Sequence, residues 1–185
     1  MKMKKKYNYI IVVFLFIATM SLFSQNEDNK WTFGIDLASV KYSDADGLLL
    51  GGSFINQSPR FSLSKYMFSN ITFVGAFSTA IGDNQKYTTF DGLARYDFGT
   101  SKNNVVPYIF IGGSFIKAAA LTPTANFGVG NTFWFSSKYG LNLQLMYKYS
   151  QDKFQSQKSH AMTSIGLVYS LGYRSMNPRL WATEH

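Results

Sequence analysis

The chain has 185 residues, enough for one domain, and no cysteine, which excludes disulfides, a lipid-anchoring cysteine and thiolate metal sites. Hydrophobic residues make up 46%, with 12 Tyr and 17 Phe among them, while charged residues reach only 15%, against roughly 25% in soluble domains. The net charge of +8 is uneven, and its placement removes the case for a nucleic-acid partner.

Lys2, Lys4, Lys5 and Lys6 precede an apolar run, "IIVVFLFIATM", and "SLFSQ" then offers Ser24 as a small residue before a cut. This is the pattern of an export signal over residues 1–24. The apolar run is shorter than the about 20 residues that a membrane-spanning helix needs. Losing this segment removes four lysines and no acid, so the formal charge falls from +8 to +4. Half of the basicity belongs to targeting.

After the signal, no stretch carries 18 consecutive apolar residues, and period-two alternation recurs. Trp31, Phe33, Ile35 and Leu37 alternate with Thr32, Gly34, Asp36 and Ala38. Phe61 and Leu63 alternate with Arg60, Ser62 and Ser64. Ile71, Phe73, Gly75 and Phe77 alternate with Thr72, Val74, Ala76 and Ser78. Phe90, Ala94, Tyr96 and Phe98 alternate with Thr89, Asp91, Leu93, Arg95 and Asp97. The fifth segment, "VPYIFIGGSFI" (106–116), is apolar on both faces, and its outward side stays open. Phe127, Val129, Phe133 and Phe135 alternate with Asn126, Gly128, Gly130, Thr132 and Trp134. Leu141, Leu143, Leu145, Tyr147 and Tyr149 alternate with Asn142, Gln144, Met146, Lys148 and Ser150. Ile165, Leu167, Tyr169, Leu171 and Tyr173 alternate with Ser164, Gly166, Val168, Ser170 and Gly172. Eight strands are predicted.

Their connections alternate as well. "MFSN" (67–70), "GTSKNN" (99–104) and "SSKYG" (136–140) are short. Residues 41–58, 80–87 and 150–160 are longer and polar, and "KAAALTPTA" (117–125) fits the long class least well. Short turns at one end and long loops at the other characterise outer-membrane barrels, whose termini and turns lie in the periplasm. A segment of about ten residues, rising about 3.3 Å each and tilted about 45°, spans roughly 23 Å, close to the apolar band of such a barrel.

One face of the alternation is aromatic and almost free of charge, as hydrocarbon requires. Trp31, Phe98, Phe135 and Tyr173 fall at the turn end, and Tyr87, Tyr147 and Tyr149 near the loop rim. The other face is small and polar and holds Asp36, Arg60, Asp91, Arg95, Asp97 and Lys148. In a closed eight-stranded barrel the interior is just wide enough for side chains to fill. Charges of both signs there are expected to pair into a lumen network, because an unpaired buried charge is costly. The expectation is an all-β, eight-stranded antiparallel up-and-down transmembrane β-barrel over residues 25–173, with a short tail over 174–185. In a soluble, secreted β-protein the same charges would lie solvated on the outside of a sandwich.

The runs "SPRFSLSKYM", "FDGLARYDFG", "VPYIFIGGSF", "NFGVGNTFWFSSKYGLNLQLMYKYS" and "SHAMTSIGLVYSLG" together resemble the N-terminal barrel of OmpA-like outer-membrane proteins, over about residues 31–173. The resemblance implies outer-membrane localisation and passage through the barrel-assembly machinery. In the assembly signal of such proteins, a polar residue, a glycine and two late hydrophobic positions fall here on Ser164, Gly166, Tyr169 and Leu171. Any final lipid-facing strand offers a similar pattern. Many OmpA-like proteins continue into a peptidoglycan-binding domain, and "RSMNPRLWATEH" is too short to hold one, so cell-wall anchoring is not carried over.

Chemistry is sparse. An enzyme acting on envelope lipids would need a nucleophile, a histidine and an orienting acid. Ser159, His160 and Asp152 could form such a set, but His160 is more simply a polar rim residue beside a solvated loop; His185 is terminal. Glutamate occurs only at Glu27 and Glu184. "DADG" (44–47) offers too few calcium ligands, and neither "GGSF" copy opens a helix as a phosphate loop would. No cofactor is expected. Lys86, Lys153 and Lys158 could pair with phosphates of lipopolysaccharide, or simply be solvated. The reading is a non-enzymatic barrel with a structural or interaction role in the envelope, or a small subunit beside other outer-membrane proteins. A lipid-modifying barrel enzyme, a secreted ligand-binding barrel and a conducting pore are the alternatives.

Overall fold

The computed structural model describes residues 31–42, 55–81, 87–117, 120–151 and 158–174. Residues 1–24, "DADG", Lys86, Asp152, Lys153, Trp181 and His185 lie outside them. The described residues hold no helix and eight strands: β1 (Trp31–Tyr42), β2 (Ile55–Phe68), β3 (Ile71–Thr79), β4 (Thr88–Asp97), β5 (Val105–Lys117), β6 (Leu121–Trp134), β7 (Tyr139–Tyr149) and β8 (His160–Ser170). Each pairs antiparallel with its sequence neighbours, and β1 pairs with β8. That last ladder runs unbroken from Thr32↔Ser170 to Tyr42↔His160. The sheet is a closed barrel in simple meander order.

Closure leaves no open edge, as a structure crossing hydrocarbon requires. The pleat then sends alternate residues outward and inward. Ile35, Leu37, Phe73, Phe90, Ile111, Phe127, Leu145, Ile165 and Leu167 stand exposed on the outer wall, with Leu167 at 60% and Ile111 at 67%. A soluble protein does not leave a continuous belt of large apolar side chains open to water. This wall faces lipid. Lys65 is one of its few charges, and it sits near the turn end over the Trp31 ring, 5.1 Å from its centroid. There it can reach the headgroup layer.

The ambiguous fifth strand is settled by volume. Val106, Tyr108, Phe110, Ser114 and Ile116 of β5 point inward, and Ile109, Ile111 and Phe115 outward. Tyr108 is registered with Gly130 and Phe110 with Gly128. A Cβ on Gly130 would run into the Tyr108 ring, and one on Gly128 into the Phe110 ring. The two glycines of β6 empty the space that the two rings of β5 occupy.

Three expectations are corrected. The β2–β3 connection is tighter than "MFSN": β2 continues through Phe68, and Ser69 and Asn70 alone make the turn, both left-handed with φ of 47° and 65°. Such a two-residue turn matches the twist of its flanking strands. The "KAAALTPTA" stretch is mostly strand, because β5 runs to Lys117 and β6 begins at Leu121. Thr122 and Thr124 face the interior there, so this connection is short and breaks the long-loop rhythm. Tyr87 does not belong to an outer aromatic rim; it is buried and turned into the barrel.

The two tryptophans of the described residues test the inside–outside assignment. In a Trp134→Phe/Trp181→Phe variant, brominated lipids are expected to quench Trp31 strongly. In a Trp31→Phe/Trp181→Phe variant, Trp134 is expected to stay bright, because it is inward-facing and buried.

Candidate functional site

The concentration of chemistry is the barrel interior. Its centre is Asp91 of β4, which receives Lys148 of β7 at 2.5 Å through Nζ and Oδ1, and Arg60 of β2 at 3.3 Å through Nη2 and Oδ2. Arg60 also lies 3.8 Å from Asp36 of β1. All four are essentially sealed from solvent. They come from four different strands, so the network crosses the lumen instead of running along one wall.

Neutral groups complete it. Lys148 Nζ also donates to Ser114 Oγ at 3.2 Å. Ser114 joins Thr124 and Asn126 in a compact hydroxyl–amide cluster on β5 and β6. Tyr108 donates its hydroxyl to Asn142 Oδ1 at 2.7 Å, and Asn142 Nδ2 donates to Asp36 Oδ1 at 3.2 Å. That chain runs from β5 to β7 to β1. It passes over Gly166, which is registered between Asn142 on one side and Asp36 on the other. A Cβ on Gly166 would press on the Ile35 carbonyl and on Asp36 itself. Gly166 thus has a packing reason that does not depend on any assembly receptor.

Arg95 and Asp97 form a second group nearer the turn end. Arg95 Nε lies 2.9 Å from Asp97 Oδ1, and Thr72 donates to Asp97 Oδ2 at 2.8 Å. The guanidinium of Arg95 also lies over the Tyr108 ring, 4.6 Å from its centroid. The six charges named from sequence therefore all face inward, but as two groups. Of the assembly-signal positions, Ser164 and Gly166 face the interior. Tyr169 packs its ring 5.1 Å from that of Tyr139 on the outer wall, and Leu171 is exposed beyond the strand end.

At the loop end, His160 departs from the expectation of a polar residue beside a solvated loop. It is fully buried at the start of β8. Its Nδ1 lies 2.7 Å from the Lys158 carbonyl, and its Nε2 lies 2.7 Å from the Tyr87 hydroxyl. The carbonyl can only accept, so Nδ1 carries the proton and Nε2 accepts from Tyr87. Tyr87 leads into β4, and β4 and β8 are diametrically opposite in the barrel. The pair is a crossbar over the loop-side mouth, above a cluster of Val40, Ile116, Met146 and Met162. Ser159 is engaged elsewhere: its Oγ accepts from the Ser150 N–H and donates to the Ser150 carbonyl.

Arg174 is the first residue of the short tail expected over 174–185. It lies just past β8, yet it is buried under the turn-side mouth. Its Nη2 donates to the Thr100 carbonyl at 2.8 Å, its N–H to the Ser137 carbonyl at 3.0 Å, and its guanidinium covers the Trp134 ring at 4.3 Å. The signal was its parity: Arg174 continues the inward even-numbered face of β8. Among the described residues, small interior cavities of about 30 Å³ remain, each with room for only a few waters.

No family model and no curated protein sequence matches the chain. Solved structures do. The N-terminal β-barrel domain of Pseudomonas aeruginosa OprF superposes with a TM-score of 0.58 at 15% identity, over 80% of this chain and 98% of that one. Neisserial surface protein A gives 0.58 at 17% identity, over 77% and 97%. Escherichia coli outer membrane protein W gives 0.51 at 12%, over 79% and 100%. The likeness is one of fold: this chain has the architecture of the small eight-stranded outer-membrane barrels.

Three substitutions probe the interior. Asp91→Ala leaves Arg60 and Lys148 without their shared anion and is expected to cost about 3–5 kcal/mol, read from urea unfolding in lipid vesicles. Asp36→Asn keeps the Asn142 contact and is expected to cost only about 1 kcal/mol. Gly166→Val is expected to impair refolding from urea into pure detergent, where no assembly machinery is present. Normal refolding there, with loss confined to cells, would assign the glycine to assembly alone.

Proposed function

We propose that this protein is a non-enzymatic outer-membrane barrel whose role is structural or interactive, exposing its surfaces to the envelope and to neighbouring outer-membrane proteins. The observation that carries this reading is the filled interior. Side chains from every wall meet across the lumen, and the Tyr87–His160 crossbar and Arg174 cover its two ends. A tube of eight strands has little space to spare, and here that space is spent on cross-links between strands. Work done on other molecules is left to the outer wall and the rims.

The proposed export signal over residues 1–24 brings the chain through the inner membrane, and the machinery that inserts barrels reads β8 through Ser164, Gly166, Tyr169 and Leu171. The termini and short turns then lie in the periplasm. The loop end faces outward, where its lysines meet phosphates of lipopolysaccharide. The lipid-modifying alternative is disfavoured by the engagement of its own residues. His160 is held inside the barrel between Tyr87 and the Lys158 carbonyl, and Ser159 turns to the Ser150 backbone. A nucleophile and base must lie within hydrogen-bond reach of each other and of substrate.

Purification from outer membranes in mild detergent, with cross-linking beforehand, tests the reading. Heat-modifiable gel migration, reproducible protein neighbours and no discrete currents in planar bilayers are expected. Stepwise currents would instead make it a pore. Deacylation of lipopolysaccharide that disappears in His160→Ala would make it an enzyme.

A further inference from the structure

The described interior is not neutral. Arg60, Arg95, Lys148 and Arg174 supply four cations, and Asp36, Asp91 and Asp97 three carboxylates. Arg60 and Lys148 share Asp91, Arg60 also lies by Asp36, and Arg95 takes Asp97. Arg174 is left without a carboxylate at ion-pair distance among the described residues, although it is only 8% exposed. Its Nη2 has the Thr100 carbonyl, but its Nε–H has no acceptor. Arg95 Nε also lacks one, because Asp97 Oδ1, though 2.9 Å away, is off the line a hydrogen bond needs. Both arginines and Asp97 line the same cavity of about 30 Å³, with Thr32, Ser64 and Thr72 also on its wall.

We propose that this cavity is a binding site for one small monovalent anion of the halide class, held between the Arg95 and Arg174 guanidiniums. Water could satisfy the two donors, but it would leave the excess charge uncompensated in a poorly solvated place, which is expensive. The cavity has room for only a few waters, which suits a small anion. The site sits where the chain leaves β8, so the anion would tie Arg174, and with it the strand that closes the barrel, to the β4 wall. Burial pushes the Arg174 side chain down to about 10, with the Asp97 carboxylate pulling the other way and the Arg95 cation adding to the fall. Closure of the last strand would then depend on anion concentration.

Crystals grown with bromide, together with chloride-35 line broadening of the refolded full chain in detergent, test the proposal. One bromide anomalous peak in the cavity is expected. Arg174→Gln is expected to weaken chloride binding by at least about tenfold, while Arg174→Lys retains part of it and Lys138→Gln, at an exposed cation of the same end, leaves it unchanged. Asp97→Asn removes the competing carboxylate and is expected to strengthen binding, which guards against Arg174→Gln simply failing to fold. An adventitious ion only, with broadening equal in wild type and Arg174→Gln, overturns the proposal. So does an ordered water in the cavity without anomalous signal, or an Asp97→Asn variant that binds no tighter.

Discussion

The hydrogen-bonded seam between β1 and β8 makes the rest possible. In hydrocarbon an unpaired strand edge has no water to turn to, so the sheet must close on itself or not exist there. Once closed, every residue has only two destinations, lipid or lumen. A shift of one residue in register would exchange them for a whole strand. The outer wall and the charged interior are therefore one constraint seen from two sides. Phe33, Ile35 and Leu37 can face acyl chains only because Gly34, Asp36 and Ala38 face inward.

A narrow lumen turns that constraint into a packing problem. Eight strands enclose a column in which long side chains need short ones opposite. Gly128 and Gly130 stand across from Phe110 and Tyr108, and Gly166 lies beneath the Asn142–Asp36 hydrogen bond. Charge follows volume. Asp91 can receive both Lys148 and Arg60 because each reaches it from a different strand, so neither cation is stranded in a poorly solvated core. The resulting bonds join strands that are not neighbours in the sheet, and they brace the cylinder against flattening.

Much of this was legible in the residues themselves. Alternation placed Asp36, Arg60, Asp91, Arg95, Asp97 and Lys148 inward, because a strand's period is two whatever its surroundings. It failed where both faces are apolar. In the fifth strand the deciding information lay on another strand, in the glycines of β6, and required register to be read. Tyr87 is ambiguous for a related reason: just outside a strand, parity is a weak guide, and a tyrosine suits either an interfacial rim or a lumen that offers its hydroxyl a partner. His160 reads as a rim residue beside a solvated loop because Tyr87, whose hydroxyl donates to its Nε2, meets it only when the barrel closes; the Lys158 carbonyl that accepts from Nδ1 is local. Threonines at 122 and 124 passed for loop because small polar residues in a lumen have the same composition as a turn. Which groups of charges share a layer is a matter of shear between strands, and composition holds no trace of it.

Where the molecule can act follows from how the interior is used. A side chain that braces the wall cannot also swing to meet a substrate without giving up its partners. His160, Tyr108 and Asn142 are all engaged across the lumen. Among the described residues, the side chains that owe nothing to the core are those of the lipid-facing wall. Gly75 and Gly92 lie side by side on that wall with open space where a Cβ would stand. The outer wall is thus not uniformly bulky, in contrast to the interior, where the absence of a Cβ at Gly128, Gly130 and Gly166 is demanded by a neighbour. The difference separates what the fold requires from what it leaves free to vary, and only the free part can adapt to partners without endangering closure.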